Sequence, residues 1–134
     1  MMKFVFHAHS GLRYLVLLAG LVALAYFLTG LVSKRPAGKG VRVMGAIFTG
    51  LLDLQVLLGS TMVVMGRYYP RLLGHIAMMV LAAGVVHGLL VANRKRPTPG
   101  YVLPLIAVAA ALALIAGGIM AIGRGPLTST AFTG

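Results

Sequence analysis

Two histidines, His9 and His75, stand at the starts of long apolar runs, and two further ionisable side chains, Asp53 and His87, lie inside such runs. An ionisable group held away from water is costly, so each marks a candidate site. Imidazole is a common ligand for iron, and two imidazoles approaching from opposite sides form the axial ligand set of a b-type haem. A carboxylate beside an imidazole instead suits holding or moving a proton. The chain has no cysteine, which excludes disulfides, thiolate zinc sites, iron–sulfur clusters and the CxxCH attachment of c-type haem.

The elements that must position these groups follow from hydropathy. Of 134 residues 60% are apolar and only 10% charged, with twelve Lys and Arg against the single acid Asp53. A water-soluble domain carries roughly a quarter charged residues of both signs. Four apolar stretches, 14–32, 44–65, 72–92 and 101–122, each approach the ~20 residues needed to cross a bilayer as a helix. None alternates as a barrel strand does. The expectation is one all-α integral-membrane domain over 1–134, an antiparallel up-down-up-down four-helix transmembrane bundle with helices at 9–33, 43–66, 71–93 and 100–123. Short gaps containing Pro36, Pro70, Pro97 and Pro99 force neighbouring helices to run in opposite directions.

The cations lie in the gaps, which argues against nucleic acid and for the membrane surface. Lys34, Arg35, Lys39 and Arg42 fill the first gap and Arg94, Lys95 and Arg96 the third; the other side carries Lys3, Arg13, Arg67, Arg71 and Arg124. The positive-inside rule makes the first and third gaps cytoplasmic and both termini external, in a bacterial inner membrane. Ala23-Leu24-Ala25 has the small-x-small look of a signal cleavage site, but polar His7, His9 and Arg13 precede the apolar run, so the first helix is expected to be retained. The tail from Gly125 onward reads as a loose polar end.

Depth sorts the candidates. His9 and His75 both fall near the outer ends of helices one and three, which lie diagonally across a bundle of this topology, and they are the expected haem ligands. His7 is ~200° around the helix from His9, so only one can face a common core, and His7 is the substitute ligand. A lesser alternative has an extended His7-Ala8-His9 holding a metal. Met62, Met65, Met78, Met79 and Met120 cluster toward the outer half as gap fillers, with His/Met ligation as the fallback. A flat porphyrin needs small neighbours, and Gly11, Gly59, Gly66, Gly74, Gly117 and Gly118 gather at that end, although small residues also let membrane helices pack closely. Haem propionates need cations: Arg67 and Arg71 flank the outer turn with Tyr68 and Tyr69 between them, and Arg13 is one turn from His9. The expected cofactor-binding set is Arg13, Gln55, Gly59, Arg67, Arg71 and Gly118. His87 is ~18 Å deeper than His75, and with Asp53 it forms either a proton-handling pair for quinone chemistry or structural glue between helices.

His9-Ser10-Gly11-Leu12-Arg13, Asp53-Leu54-Gln55-Val56-Leu57-Leu58-Gly59 and His75-Ile76-Ala77-Met78-Met79 resemble the openings and second helix of small bacterial four-helix membrane proteins of the cytochrome b type. They are also similar to one half-bundle of haem A synthase, with its HR-type start, QxLLG-type second helix and third-helix histidine. The resemblance covers three of four helices and implies one haem b between His9 and His75. It does not extend to the glutamate near the first histidine or the paired loop cysteines of many haem A synthases. The expected function is electron transfer near the outer face, as a carrier or a subunit of a respiratory or photosynthetic complex rather than a stand-alone enzyme. The expected partners are lipid, a quinone and other redox subunits. The alternatives are a haem-free accessory or assembly subunit, and a small proton-conducting transporter built on Asp53 and His87.

Overall fold

The computed structural model describes residues 1–123, so Arg124 and the tail from Gly125 lie outside the described residues. It contains four helices, α1 (Met2–Val32), α2 (Lys39–Val64), α3 (Leu72–Arg94) and α4 (Val102–Ala121), and no strand among the described residues. All four are long and apolar enough to cross a membrane.

The buried positions are spaced three and four apart, as one helix face demands. On α2 they are Val41, Gly45, Phe48, Leu52 and Gln55, and on α4 Pro104, Ala107, Val108, Ala111, Ile115, Gly118 and Ile119. Phe27 and Phe48 are fully enclosed. The remaining faces are apolar too: Leu15, Leu18 and Leu21 on α1 and Val80 and Leu81 on α3 are all exposed. A helix apolar all round belongs in an apolar surrounding.

α1 packs against α2 and α4, and α3 packs closely against α4, whereas α2 and α3 touch sparingly. The bundle therefore has one loose seam, between α2 and α3. Both cavities described below are lined in part by these two helices.

α1 begins seven residues earlier than the hydropathy reading places it. Val5 and Phe6 bury themselves and draw the chain into helix from Met2. His7 and His9 are thus both helical, which removes the extended His-Ala-His arrangement. At the end of α2, Gly66 adopts φ +98°, a left-handed conformation suited to glycine. The backbone N–H groups of Gly66 and Arg67 then bond the carbonyls of Val63 (3.0 Å) and Met62 (2.9 Å), a Schellman closure that turns Arg67 back over the bundle end.

Candidate functional site

A cavity of ≈ 340 Å³ opens at the end of the bundle where α1 and α3 begin and α2 and α4 finish. That size falls within the range of small-molecule and cofactor sites. Its wall is mostly apolar, with Val16, Leu52, Val56, Ile115 and Ile119 among the lining residues. The polar lining includes His9, Arg13, Gln55, Arg67 and His75.

The two imidazoles face one another across the space, with ring centroids 6.5 Å apart and planes crossed at 87°. Each ring is held by a backbone carbonyl. His9 Nδ1 donates to the carbonyl of Gln55 at 3.1 Å, and His75 Nδ1 donates to that of Gly118 at 3.0 Å. A carbonyl oxygen has no proton to give, so in both rings the hydrogen must sit on Nδ1. The Nε2 lone pair is left for a ligand, which is how outer hydrogen bonds prepare an imidazole for metal.

Gln55 has a part in this that its place in the sequence does not announce. Its side-chain amide donates to the His9 carbonyl at 2.7 Å while its own carbonyl holds the His9 ring, so α1 and α2 are locked by a reciprocal pair. Its Oε1 is buried with no hydrogen-bond partner and belongs to a residue lining the cavity. Such an acceptor favours an incoming donor. Gly118 acts through its carbonyl rather than by lining the cavity. Gly59 does line it: a Cβ there would stand 3.1 Å from His9 Cε1, so any larger residue would make the ring give by a few tenths of an ångström.

Arg13 is buried, lies one turn from His9, donates to the Tyr14 hydroxyl at 2.6 Å and stacks on that ring with 4.6 Å to the centroid. Arg67 lines the cavity with its guanidinium 4.5 Å from the Phe6 ring centre. Arg71, expected beside Arg67, lies elsewhere. Its Nε donates to the carbonyl of Ala121 at 3.1 Å, so it serves the carbonyl end of α4 and does not line the cavity. His7 is exposed and edges onto Phe6, away from the His9 face. Met62, Met79 and Tyr69 line the cavity, whereas Met65, Met78, Met120 and Tyr68 do not. Phe6, Ser10 and Ser60 also contribute; the two serines lie ~100° around their helices from His9 and Gly59, so helical spacing does not mark them.

Along the α2–α3 seam, His87 Nε2 lies 2.9 and 3.0 Å from the two carboxylate oxygens of Asp53, joining α3 to α2. Among the described residues, no three or more His, Asp or Glu side chains converge on a metal position. The donor set at the first cavity is two imidazoles, which suits a metal whose other positions are filled by its own macrocycle.

At the opposite end, Tyr101 is buried and its hydroxyl donates to the Pro36 carbonyl at 3.1 Å while accepting from Arg35 Nε at 3.3 Å. Asn93 is also buried, with its amide bonding both the carbonyl and the N–H of Gly100, each at 3.1 Å. These two knots fix the connections of α1 to α2 and of α3 to α4. The class of protein thus defined is a bundle of four membrane-length helices with an imidazole-walled cavity at one end. No family model, curated protein or solved structure matches the chain.

Proposed function

We propose that this chain is an integral-membrane b-type cytochrome that holds one haem in the cavity between His9 and His75 and takes part in electron transfer. The observation that carries the reading is the imidazole pair. Two metal–imidazole bonds of ~2.0 Å, each with ~1.1 Å more to the ring centre, require centroids roughly 6 Å apart. The rings stand 6.5 Å apart with both Nδ1 atoms already engaged. When bound, the haem supplies a one-electron iron couple.

The protein supplies ligation, orientation and surroundings. Gln55 and Gly118 orient the rings through their carbonyls. Leu52, Val56, Ile115 and Ile119 exclude water, and Arg13 and Arg67 supply the cations that two propionates need. The bundle is up-down-up-down, supported by successive helices meeting start to finish: His9 with Gln55, Gly40 against Tyr26, Asn93 with Gly100, and His75 with Gly118. It spans a bacterial inner membrane with both termini outside, so that Arg35, Arg42, Arg94 and their neighbours face the cytoplasm. This is also the reading that the resemblance to small membrane cytochromes and the haem A synthase half-bundle implies. Lipid, a quinone and other redox subunits are its expected partners.

A second reading, a haem-free accessory subunit, draws on the same rings, since edge-to-face ring contacts also fall at centroid distances of about 4.5–7 Å. A reduced-minus-oxidised optical spectrum separates the two. Protein purified from membranes should show the sharp bands of low-spin haem b, and His75→Ala should abolish them. A wild-type chain that shows no such bands, even after incubation with excess haem, overturns the cytochrome reading.

A further inference from the structure

The Asp53–His87 pair is placed differently from a buried structural clasp. Its side chains are 49% and 53% exposed, and both line a second cavity of ≈ 360 Å³ between α2 and α3. Thr49, Arg42, Arg94 and Asn93 share that wall with Val41, Leu90 and Pro104. His87 lies seven residues before Arg94, ~10 Å along the helix from it. The dyad therefore sits below the cationic end at a depth that lipid-soluble molecules reach, beside the seam where the bundle is loosest.

The hydrogen-bond chemistry narrows the ligand. An ionised carboxylate only accepts, so a neutral His87 carries its proton on Nε2 toward Asp53 and keeps a lone pair on Nδ1. In that neutral state Nδ1 accepts a hydrogen bond and does not offer one. The complementary molecule carries a hydroxyl on an otherwise apolar frame. At His87 Nδ1 a carbonyl-only counterpart has nothing to donate, and its oxygen would meet the imidazole lone pair, so the preference for the reduced form is set at this atom.

We propose that the cavity at Asp53 and His87 binds the hydroxyl head of a lipid-soluble hydroquinone, with His87 Nδ1 accepting from the hydroxyl and Asp53 fixing the ring. The arginines mark the cytoplasmic mouth of the site, and the apolar tail leaves along the α2–α3 seam into lipid. The inference needs the membrane reading but not the haem, because the residues at the two cavities are distinct.

The test is titration of the purified full-length chain in lipid nanodiscs with decyl-benzohydroquinone, kept reduced, and in parallel with decyl-benzoquinone. The ¹⁵N imidazole signals of the histidines are followed by NMR. Saturable movement of the His87 signals by the hydroquinone, with the quinone at least tenfold weaker, is the expected result. His87→Gln should remove tenfold or more of the affinity, and His7→Gln, at an exposed position that lines neither cavity, should leave it intact. Equal binding of both forms, or a His87 signal that stays still in the wild-type chain up to millimolar hydroquinone, overturns the proposal. The wild-type measurement does not depend on any variant folding. Absence of haem bands in the optical spectrum leaves it standing.

Discussion

Replacing Gly59 with alanine tests whether the placement of His9 matters more to the site than to the fold. The new Cβ would stand 3.1 Å from His9 Cε1 and 3.6 Å from its Nδ1. Carbon atoms prefer separations of about 3.5–4.0 Å, so the ring must retreat or tilt by roughly 0.4 Å. That movement stretches the 3.1 Å bond from Nδ1 to the Gln55 carbonyl toward the limit of a useful hydrogen bond. Weakening it costs about 1 kcal/mol, and an off-rotamer ring costs about 0.5–1.5 kcal/mol. Against this, alanine gains up to about 1 kcal/mol over glycine inside a helix. The net loss of stability is then about 1 kcal/mol, and the protein still folds. The effect on the site is larger, because disturbing the outer partner of a metal-binding histidine typically lowers metal affinity about 10–100-fold. Haem titration followed by absorbance, alongside thermal unfolding followed by circular dichroism, reads both quantities. Gly50→Ala on the same helix is the control, since a Cβ there meets nothing within 4 Å. Affinity lost equally in both variants, or kept in Gly59→Ala while the His9 imidazole signal moves, refutes the reasoning.

Two further substitutions probe the far end, where the fold is closed without any part in the His9–His75 cavity. Asn93→Ala removes two hydrogen bonds to Gly100 from a buried position and should lower stability by about 1–3 kcal/mol in detergent unfolding, with haem content per folded molecule unchanged. Tyr101→Phe keeps the ring but deletes the hydroxyl between Arg35 and the Pro36 carbonyl. It should cost about 1–2 kcal/mol by the same measurement, and no loss at all would show that the knot contributes nothing.

What the sequence makes legible here is whatever depends on position along one helix. The four apolar lengths announce the helices, and their C-terminal ends fall within two residues of the expected 33, 66, 93 and 123. Helical arithmetic at 1.5 Å per residue also brings His9 and His75 to similar positions along their helices and puts Arg13 one turn from His9, whereas it leaves Asp53 and His87 about 5 Å apart along the bundle, a gap their side chains close at 2.9 Å. The start of α1 is not legible in this way, because apolar Phe4, Val5 and Phe6 form too short a run to register as part of a span, yet two of the three are buried once α2 and α4 are alongside. Arg67 and Arg71 look equivalent in sequence, flanking one turn. The left-handed Gly66 folds Arg67 over the cavity, while Arg71 is captured by a carbonyl at the end of α4, fifty residues away.

Gln55 is the most instructive case. Its type and face mark it as polar and inward, but whether it touches a ligand or a histidine depends on how closely α1 approaches α2. That approach is set by Gly59, where the absent side chain admits the His9 ring. The same logic explains why the loose side of the bundle falls between α2 and α3. α1 is drawn to α2 by the reciprocal Gln55 pair, and α4 is drawn to α3 by the His75–Gly118 bond and by Asn93, whereas α2 and α3, which touch sparingly, share the side-chain hydrogen bonds of Asp53 with His87. With sparse packing and a half-exposed polar pair along it, this seam opens with less disruption of the core than the α3–α4 or α1–α2 contacts would, which makes it the side at which the proposed ligands are expected to enter.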